Sequence, residues 1–255
     1  MSNTEMINHI EDICFKAYKA SHTLSHSTKN SKNEALEKIA ISIQKDRLLI
    51  LEANIIDMDL AKKNKVSEAL LDRLFLDEKR IDSIINGIYN IIDLEDPIGT
   101  VIKRWKPSNE IDMKQIRVPI GVIGIIYESR PNVTADASAL ALKSGNSIIL
   151  RGGSESFYSS SAIVKSIKNG LKESKISEDC VQMINTIDRD AVGLLLNMSK
   201  YVNLIIPRGG KALIERVQID SKIPVLSHLD GLCHTYIDVD ANKAMALDIV
   251  LNAKM

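Results

Sequence analysis

Apolar residues recur at three- and four-residue steps from Glu5 to about Asn90, most clearly through residues 34–60 (EALEKIAISIQKDRLLILEANIIDMDL). That period matches the 3.6-residue turn of an α-helix and predicts a helical opening section. Ser31 and Glu34 have the spacing of a capping box, a hydroxyl and a carboxylate satisfying free amides at a helix start, so a helix is predicted from near residue 32. Asp77 is the predicted N-cap of a further helix, which ends before the turn-forming run Asp96-Pro97-Ile98-Gly99.

The pattern then changes period. Residues 100–117 (TVIKRWKPSNEIDMKQIR) alternate apolar and polar positions around Lys106-Pro107-Ser108-Asn109, as an exposed β-hairpin does. Beyond it, short Val- and Ile-rich runs (IRVPIGVIGIIYE, SIILR, VQMIN, VNLII, IPVLS) alternate with helical segments, one of them predicted from about Ser154 to Glu173. Strands of continuous apolar character joined by helices bury both faces of a sheet, so the fold class is α/β, a doubly wound parallel sheet between residue 115 and about 230 with N-terminal helices and a hairpin arm. The chain is divided into an N-terminal helical part (1–99), the arm (100–117), a dinucleotide-binding α/β core (118–230) and the start of a further domain (231–255).

In such sheets ligands sit beyond the carboxyl ends of the strands. Three unusual loops fall there: Glu128-Ser129-Arg130-Pro131-Asn132, Arg151-Gly152-Gly153-Ser154-Glu155, and Arg208-Gly209-Gly210-Lys211 after Pro207. The last two share a design of arginine, paired glycines and a helix start. Glycines let backbone approach an anion closely, and a helix N-terminus offers free amides and partial positive charge. Gly-Gly also serves as a plain strand-to-helix turn. Two such loops at corresponding positions favour a dinucleotide, although the common GxGxxG fingerprint is absent. Asn132 fits two roles from composition alone, an amide donor to a developing oxyanion or a cap on the helix that follows.

Composition narrows the partners. Lys+Arg 33 balance Asp+Glu 33, which leaves no global field for nucleic acid or a membrane surface. No segment is apolar for long enough to span a bilayer or direct secretion, and the expected location is cytoplasmic. Cys14, Cys180 and Cys233 are too widely spaced for a zinc site or disulfide framework, and no metal is expected. Cys14 and Cys180 read as packing residues, and Cys233 as a small buried thiol. His234 would lie on the opposite face of a strand from Cys233, so the two form no dyad. Trp105, beside Lys103, Arg104 and Lys106, reads as an oligomer contact.

The stretch RVPIGVIGIIYESRPNVTADASALALKSGNSIILRGGSES, with LIIPRGG and IPVLSHLDGLCHTYIDVDA, resembles the glutamate-5-semialdehyde dehydrogenases (gamma-glutamyl phosphate reductases), the proline-synthesis branch of the aldehyde dehydrogenase superfamily. The resemblance covers essentially the whole chain. It implies an NADP-dependent reduction of L-glutamyl 5-phosphate to L-glutamate 5-semialdehyde with release of phosphate, through a cysteine thioester. It also implies a homo-oligomer with the hairpin as its arm, and a functional link to glutamate 5-kinase. Asn132 matches the oxyanion-hole asparagine, Arg151, Gly152, Gly153, Ser154 and Glu155 the adenosine-ribose loop, and Arg208, Gly209, Gly210 and Lys211 the pyrophosphate region; Arg130 is a candidate for substrate. The family's nucleophilic cysteine follows an NAK-type segment, and Asn252-Ala253-Lys254 stands at the end of this sequence. The expectation is therefore a chain without that nucleophile, inactive alone. The alternatives are a non-catalytic nucleotide-binding or dimerising module and, disfavoured because the sequence opens on Met1, the reductase half of a bifunctional synthase.

Overall fold

The computed structural model describes residues 3–107, 111–227 and 233–254. Five helices open it: α1 (Asn3–Leu24), α2 (Lys29–Lys45), α3 (Arg47–Lys63), α4 (Glu68–Leu74) and α5 (Glu78–Asp93). Asp77 caps α5 by accepting from Arg80 N at 2.7 Å, and Ile81, Ile84, Ile88 and Ile91 form its buried stripe. The predicted capping box at Ser31 does not form. Helix α2 begins three residues earlier, and Thr28 is its cap, accepting from Ser31 N at 3.2 Å. A hydroxyl caps from just outside the helix, and Ser31 already lies inside the first turn.

Strands β1 (Val101–Trp105) and β2 (Met113–Ile116) pair antiparallel, with Trp105 opposite Met113, and every residue of both is exposed. Ser108 and Asn109 of the predicted turn lie outside the described residues. The chain then alternates β3 (Val122–Tyr127), α6 (Pro131–Lys143), β4 (Ser147–Arg151), α7 (Phe157–Lys172), β5 (Val181–Met183), α8 (Asp190–Leu196), β6 (Leu204–Arg208) and α9 (Lys211–Asp220). The four strands are parallel in the order β5-β4-β3-β6. Ile148, Ile149 and Leu150 are all fully buried, because successive side chains enter opposite packed faces. Ile148 and Leu150 join the core of α2, α5, α6 and α7, whereas Ile149 joins that of α1, α8 and α9. Replacing Leu150 with Ala would remove contacts worth about 2–5 kcal/mol. Helices α2 and α7 meet backbone to backbone: a Cβ on Gly170 would stand 2.6 Å from Ile39 Cα.

The helix predicted from about Ser154 to Glu173 is present, opening as a 3₁₀ turn, Ser154–Ser156, before α7 proper. Two other expectations are corrected. The run IPVLS forms a parallel bridge, Val225 to Ile205, rather than a strand. Cys233 is exposed, not buried, and lies with His234 in irregular chain, where opposite faces of a strand have no meaning. Its neighbour in space is helix α10 (Lys243–Lys254), none of whose residues is buried, and Lys254 Nζ donates to the Cys233 carbonyl at 2.9 Å. Among the described residues no core lies beneath the segment to cover the thiol.

Candidate functional site

The chain walks from β3 outward through β4 to β5, then returns to place β6 on the other side of β3. Connections leaving the carboxyl ends of β3 and β6 therefore diverge, α6 along one sheet face and α9 along the other, and a crevice opens between them. Asn132, Arg151 and Arg208, from three segments, all lie at this edge of the sheet.

Strand β3 ends in a sharp turn. Ser129 is buried with φ +38°, a left-handed conformation that costs a non-glycine residue energy, and Pro131 starts α6 in its first turn. Tyr127 Oη lies 2.7 Å from Thr134 Oγ1, which ties the strand end to the helix; burial raises the phenol above its usual range. The helix cap position belongs to Arg130, whose side chain makes no capping bond, so Asn132 is not the cap. Its Nδ2 instead donates to Asp136 Oδ2 at 3.1 Å, one turn along the helix. Burial raises the Asp136 carboxyl, and the Asn132 amide partly opposes that.

The first glycine loop is locked by buried bonds. Arg151 donates through its guanidinium to the carbonyls of Gly152, Ile187 and Asp188, while its Nε is buried without a partner. Burial lowers its basicity. A Cβ on Gly152 would sit 3.2 Å from Tyr127 Oη, and one on Gly153 3.3 Å from Ser129 N, so the loop is pressed against the turn after β3. Ser154 Oγ bonds Glu155. The amides at the start of α7 are engaged from α3: Asp57, fully buried, accepts from Tyr158 N at 3.1 Å, Ser159 N at 2.7 Å and Ser159 Oγ at 2.5 Å. Its carboxyl is raised by burial, which the Ser159 bonds counter. Asn54 completes the network, donating to Leu74 O and Ser159 Oγ and accepting from Leu76 N.

The second loop is held loosely. Arg208 is exposed, and Lys211 Nζ lies 3.9 Å from Glu215 on its own helix. Gly210 N, at the start of α9, donates to Glu128 Oε2 at 3.0 Å. Glu128 is exposed, and a Cβ on Gly209 would fall 2.6 Å from its Cδ. The carboxylate thus lies against the helix N-terminus that the sequence suggested for a phosphate.

Three adjoining clefts run along this edge. One of about 500 Å³ is lined by the first loop, Ile187, Arg189, Val192 and the α9 residues Ala212, Leu213 and Arg216. A second, about 350 Å³, lies between Glu128–Arg130, the Arg208–Gly210 loop, and Leu70 and Arg73 of α4. A third, about 490 Å³, holds Asn132 and Asp136 beside Arg73, Arg80 and Arg130. The sequence reading missed Glu128, Asp57, Arg73 and Arg189. Glu128 sat inside a quoted motif, but the other three carry no local signal.

No cysteine lines these clefts. Cys14 and Cys180 are buried, and desolvation pushes each thiol up to about 12, which leaves them protonated and unreactive. Among the described residues there is no group of ligands for a metal ion and no helix long and apolar enough to cross a membrane.

No family model matches the chain. It is 48% identical to a gamma-glutamyl phosphate reductase of Paramagnetospirillum magneticum, with all 255 residues aligned over 60% of that protein. It is 47% identical to one from Magnetococcus marinus, again over 60% of the relative. The chain therefore spans about 60% of the length of these curated relatives. The crystal structure of gamma-glutamyl phosphate reductase from Thermotoga maritima superposes with a TM-score of 0.89 at 43% identity, covering 96% of this chain and 59% of that one. An acetylating aldehyde dehydrogenase from Geobacillus thermoglucosidasius, 15% identical, superposes with a TM-score of 0.69 over 87% of this chain and 46% of that one, which shows the shared fold alone.

Proposed function

On the premise that this chain belongs with the gamma-glutamyl phosphate reductases over the 60% of their length that it spans, we propose that it is the cofactor-binding and oxyanion part of an NADP-dependent reduction of L-glutamyl 5-phosphate to the semialdehyde, with release of phosphate. The observation that carries this reading is the convergence of both glycine loops and Asn132 on one carboxyl edge, at the switch point of a parallel sheet.

The residues fit a dinucleotide. Glycines 152, 153 and 209 leave backbone where a Cβ would meet neighbouring atoms. The 500 Å³ cleft has apolar walls from Ile187, Val192 and Leu213 for an adenine, with Arg189, whose side chain has no partner among the described residues, and Arg216 nearby for an adenosine 2′-phosphate. Arg151 serves differently from the sequence expectation: its guanidinium is bonded to backbone carbonyls, so it shapes the loop and leaves phosphate to other cations. When bound, the cofactor supplies hydride. Asn132 has two amide hydrogens and gives one to Asp136; that bond fixes the plane of the amide and leaves the second hydrogen for an acyl oxygen. The three cysteines stand outside the clefts lined by the described residues, so we assign this chain binding and orientation without turnover. Packing of the exposed hairpin against a second copy, and the supply of an acyl phosphate by glutamate 5-kinase, belong to the same reading.

Titrating the purified chain against NADPH and NADH, with nicotinamide fluorescence as the readout, tests it. NADPH should bind more tightly by roughly tenfold, the worth of one good charge-assisted contact to the extra phosphate. A chain that binds neither nucleotide overturns the reading.

A further inference from the structure

The arginines fall into two groups. Arg47, Arg80, Arg104 and Arg216 each pair with a carboxylate, Arg117 bonds a hydroxyl, and Arg151 bonds backbone carbonyls. Arg73, Arg130, Arg189 and Arg208 have no side-chain partner among the described residues, and all four line the clefts at the carboxyl edge. An unpaired surface arginine is ordinary. Four that converge from α4, the turn before α6, the loop before α8 and the end of β6 form a localised positive lining in a protein with no net charge.

Within this group Arg73 and Arg130 are distinct. They are the two residues common to the cleft holding the second glycine loop and the cleft holding Asn132. They therefore stand at the junction between the phosphate-binding side and the proposed acyl oxygen. Their backbones are fixed while their guanidinium groups remain free. Arg73 precedes Leu74, which is buried and whose carbonyl accepts from Asn54 at 2.8 Å, and Leu76 N returns a bond to the same side chain. Arg130 is set between the left-handed Ser129 and Pro131. A receptor of this kind loses little freedom on binding, and the planar fork of arginine suits carboxylate and phosphate alike. The neighbouring arginine in the Asn132 cleft, Arg80, is engaged with Asp72 and with the Asp72 and Phe75 carbonyls and cannot take the role without breaking those bonds.

We propose that Arg73 and Arg130 form an oxyanion clamp that selects the substrate by its phosphate or its α-carboxylate, with Arg73, supplied by the opening helical section, as the specificity-determining member. The clamp rests on the reading of the site as one for an acyl phosphate of an amino acid and extends it to the groups that recognise that substrate. The carboxylates of Glu128 and Asp136, which line the same two clefts, offer complementary charge to an ammonium group.

The test uses the 255-residue chain loaded with NADPH and three ligands followed by calorimetry or ligand-observed NMR. One is a hydrolysis-stable analogue of γ-glutamyl phosphate with methylene in place of the bridging oxygen; the second lacks the α-carboxylate and the third lacks the phosphonate. The wild-type chain should prefer the complete analogue. Arg73→Ala should erase the preference over one truncated ligand by about tenfold or more, the worth of a charged hydrogen bond, and the ligand affected identifies which group the clamp holds. NADPH affinity measured on the same variant separates loss of the clamp from damage to the neighbouring cofactor cleft. Arg73→Lys should restore part of the preference, since it keeps the charge and loses the fork. Because the Arg73 side chain has no partner among the described residues, its removal should leave the melting temperature in place, and Arg73→Gln provides a second variant. An Arg73→Ala chain that retains both preferences overturns the clamp. So does a wild-type chain that binds NADPH but discriminates none of the three ligands; one that binds no NADPH overturns the underlying reading and the clamp with it.

Discussion

The two glycine loops begin from nearly the same sequence, Leu-Arg-Gly-Gly-Ser and Pro-Arg-Gly-Gly-Lys, and end in opposite physical states. In the first, the helix-start amides are bonded to Asp57, a buried carboxylate from α3 with three donors, and the arginine is turned into backbone carbonyls. In the second, the arginine side chain has no partner among the described residues, and a bond from Gly210 N to the exposed Glu128 occupies the helix start. A helix N-terminus attracts anions in either case. What differs is whether the anion already present can leave. Removing Asp57 would strand buried donors, whereas displacing Glu128 returns a carboxylate to water. The motif alone therefore does not say which loop receives a phosphate; the neighbours do.

Asp57→Ala should give the largest effect, because it leaves the Tyr158 and Ser159 amides and the Ser159 hydroxyl without their acceptor. A loss of about 3 kcal/mol or more is expected in urea unfolding, with no gain in phosphate affinity. If the variant instead folds normally and binds phosphate more tightly, the two loops are equivalent and the contrast between them is wrong.

Glu128→Ala should do the reverse. Stability should stay within about 0.5 kcal/mol of wild type, as for other exposed contacts. The helix start it vacates should then bind inorganic phosphate about threefold more tightly or better, measured as the rise in melting temperature with added phosphate. Unchanged phosphate protection would mean that Glu128 does not compete for the site.

The smallest effect is a titration. Burial holds the Asp136 carboxyl above its ordinary value and the Asn132 amide pulls it down, so Asn132→Ala should move it further up. A carboxyl raised by folding binds its proton in the folded state first. Its contribution to stability is therefore complete below the unfolded value and is lost as pH rises through the folded one; the variant should carry that loss to higher pH. Carboxyl NMR of Asp136 reads the shift directly, and an unmoved titration would show that the amide is not bonded to it in solution.

Much of the architecture was legible from local pattern. The switch from a period of three to four residues to short β-branched runs separates the five opening helices from the parallel sheet, because burial of one helix face and of two sheet faces imposes different spacings. Asp77 announced its helix for the same kind of reason, an acceptor placed just ahead of free amides. Local signals failed where two candidates competed within one turn, as with Thr28 and Ser31, or where a strand needed a neighbour that was not there, as with the single bridge at Val225.

The sequence by itself determined that Arg130, Asn132, Arg151 and Arg208 follow apolar strands, and a parallel sheet sends all such positions to one edge. Their tasks were decided by tertiary contacts with residues far away in the chain. Asp57 reaches α7 across about a hundred positions, Arg151 bonds carbonyls 36 and 37 residues on, and Glu128 meets Gly210 across 82. Arg73 and Arg189 joined the site only because packing of α4 and the return of the chain to β6 carried them there. Hydrogen bonds and charge act over a few ångströms of space, whatever the separation along the chain, so which side chains are bonded and which remain free for a ligand is settled only when the layers close.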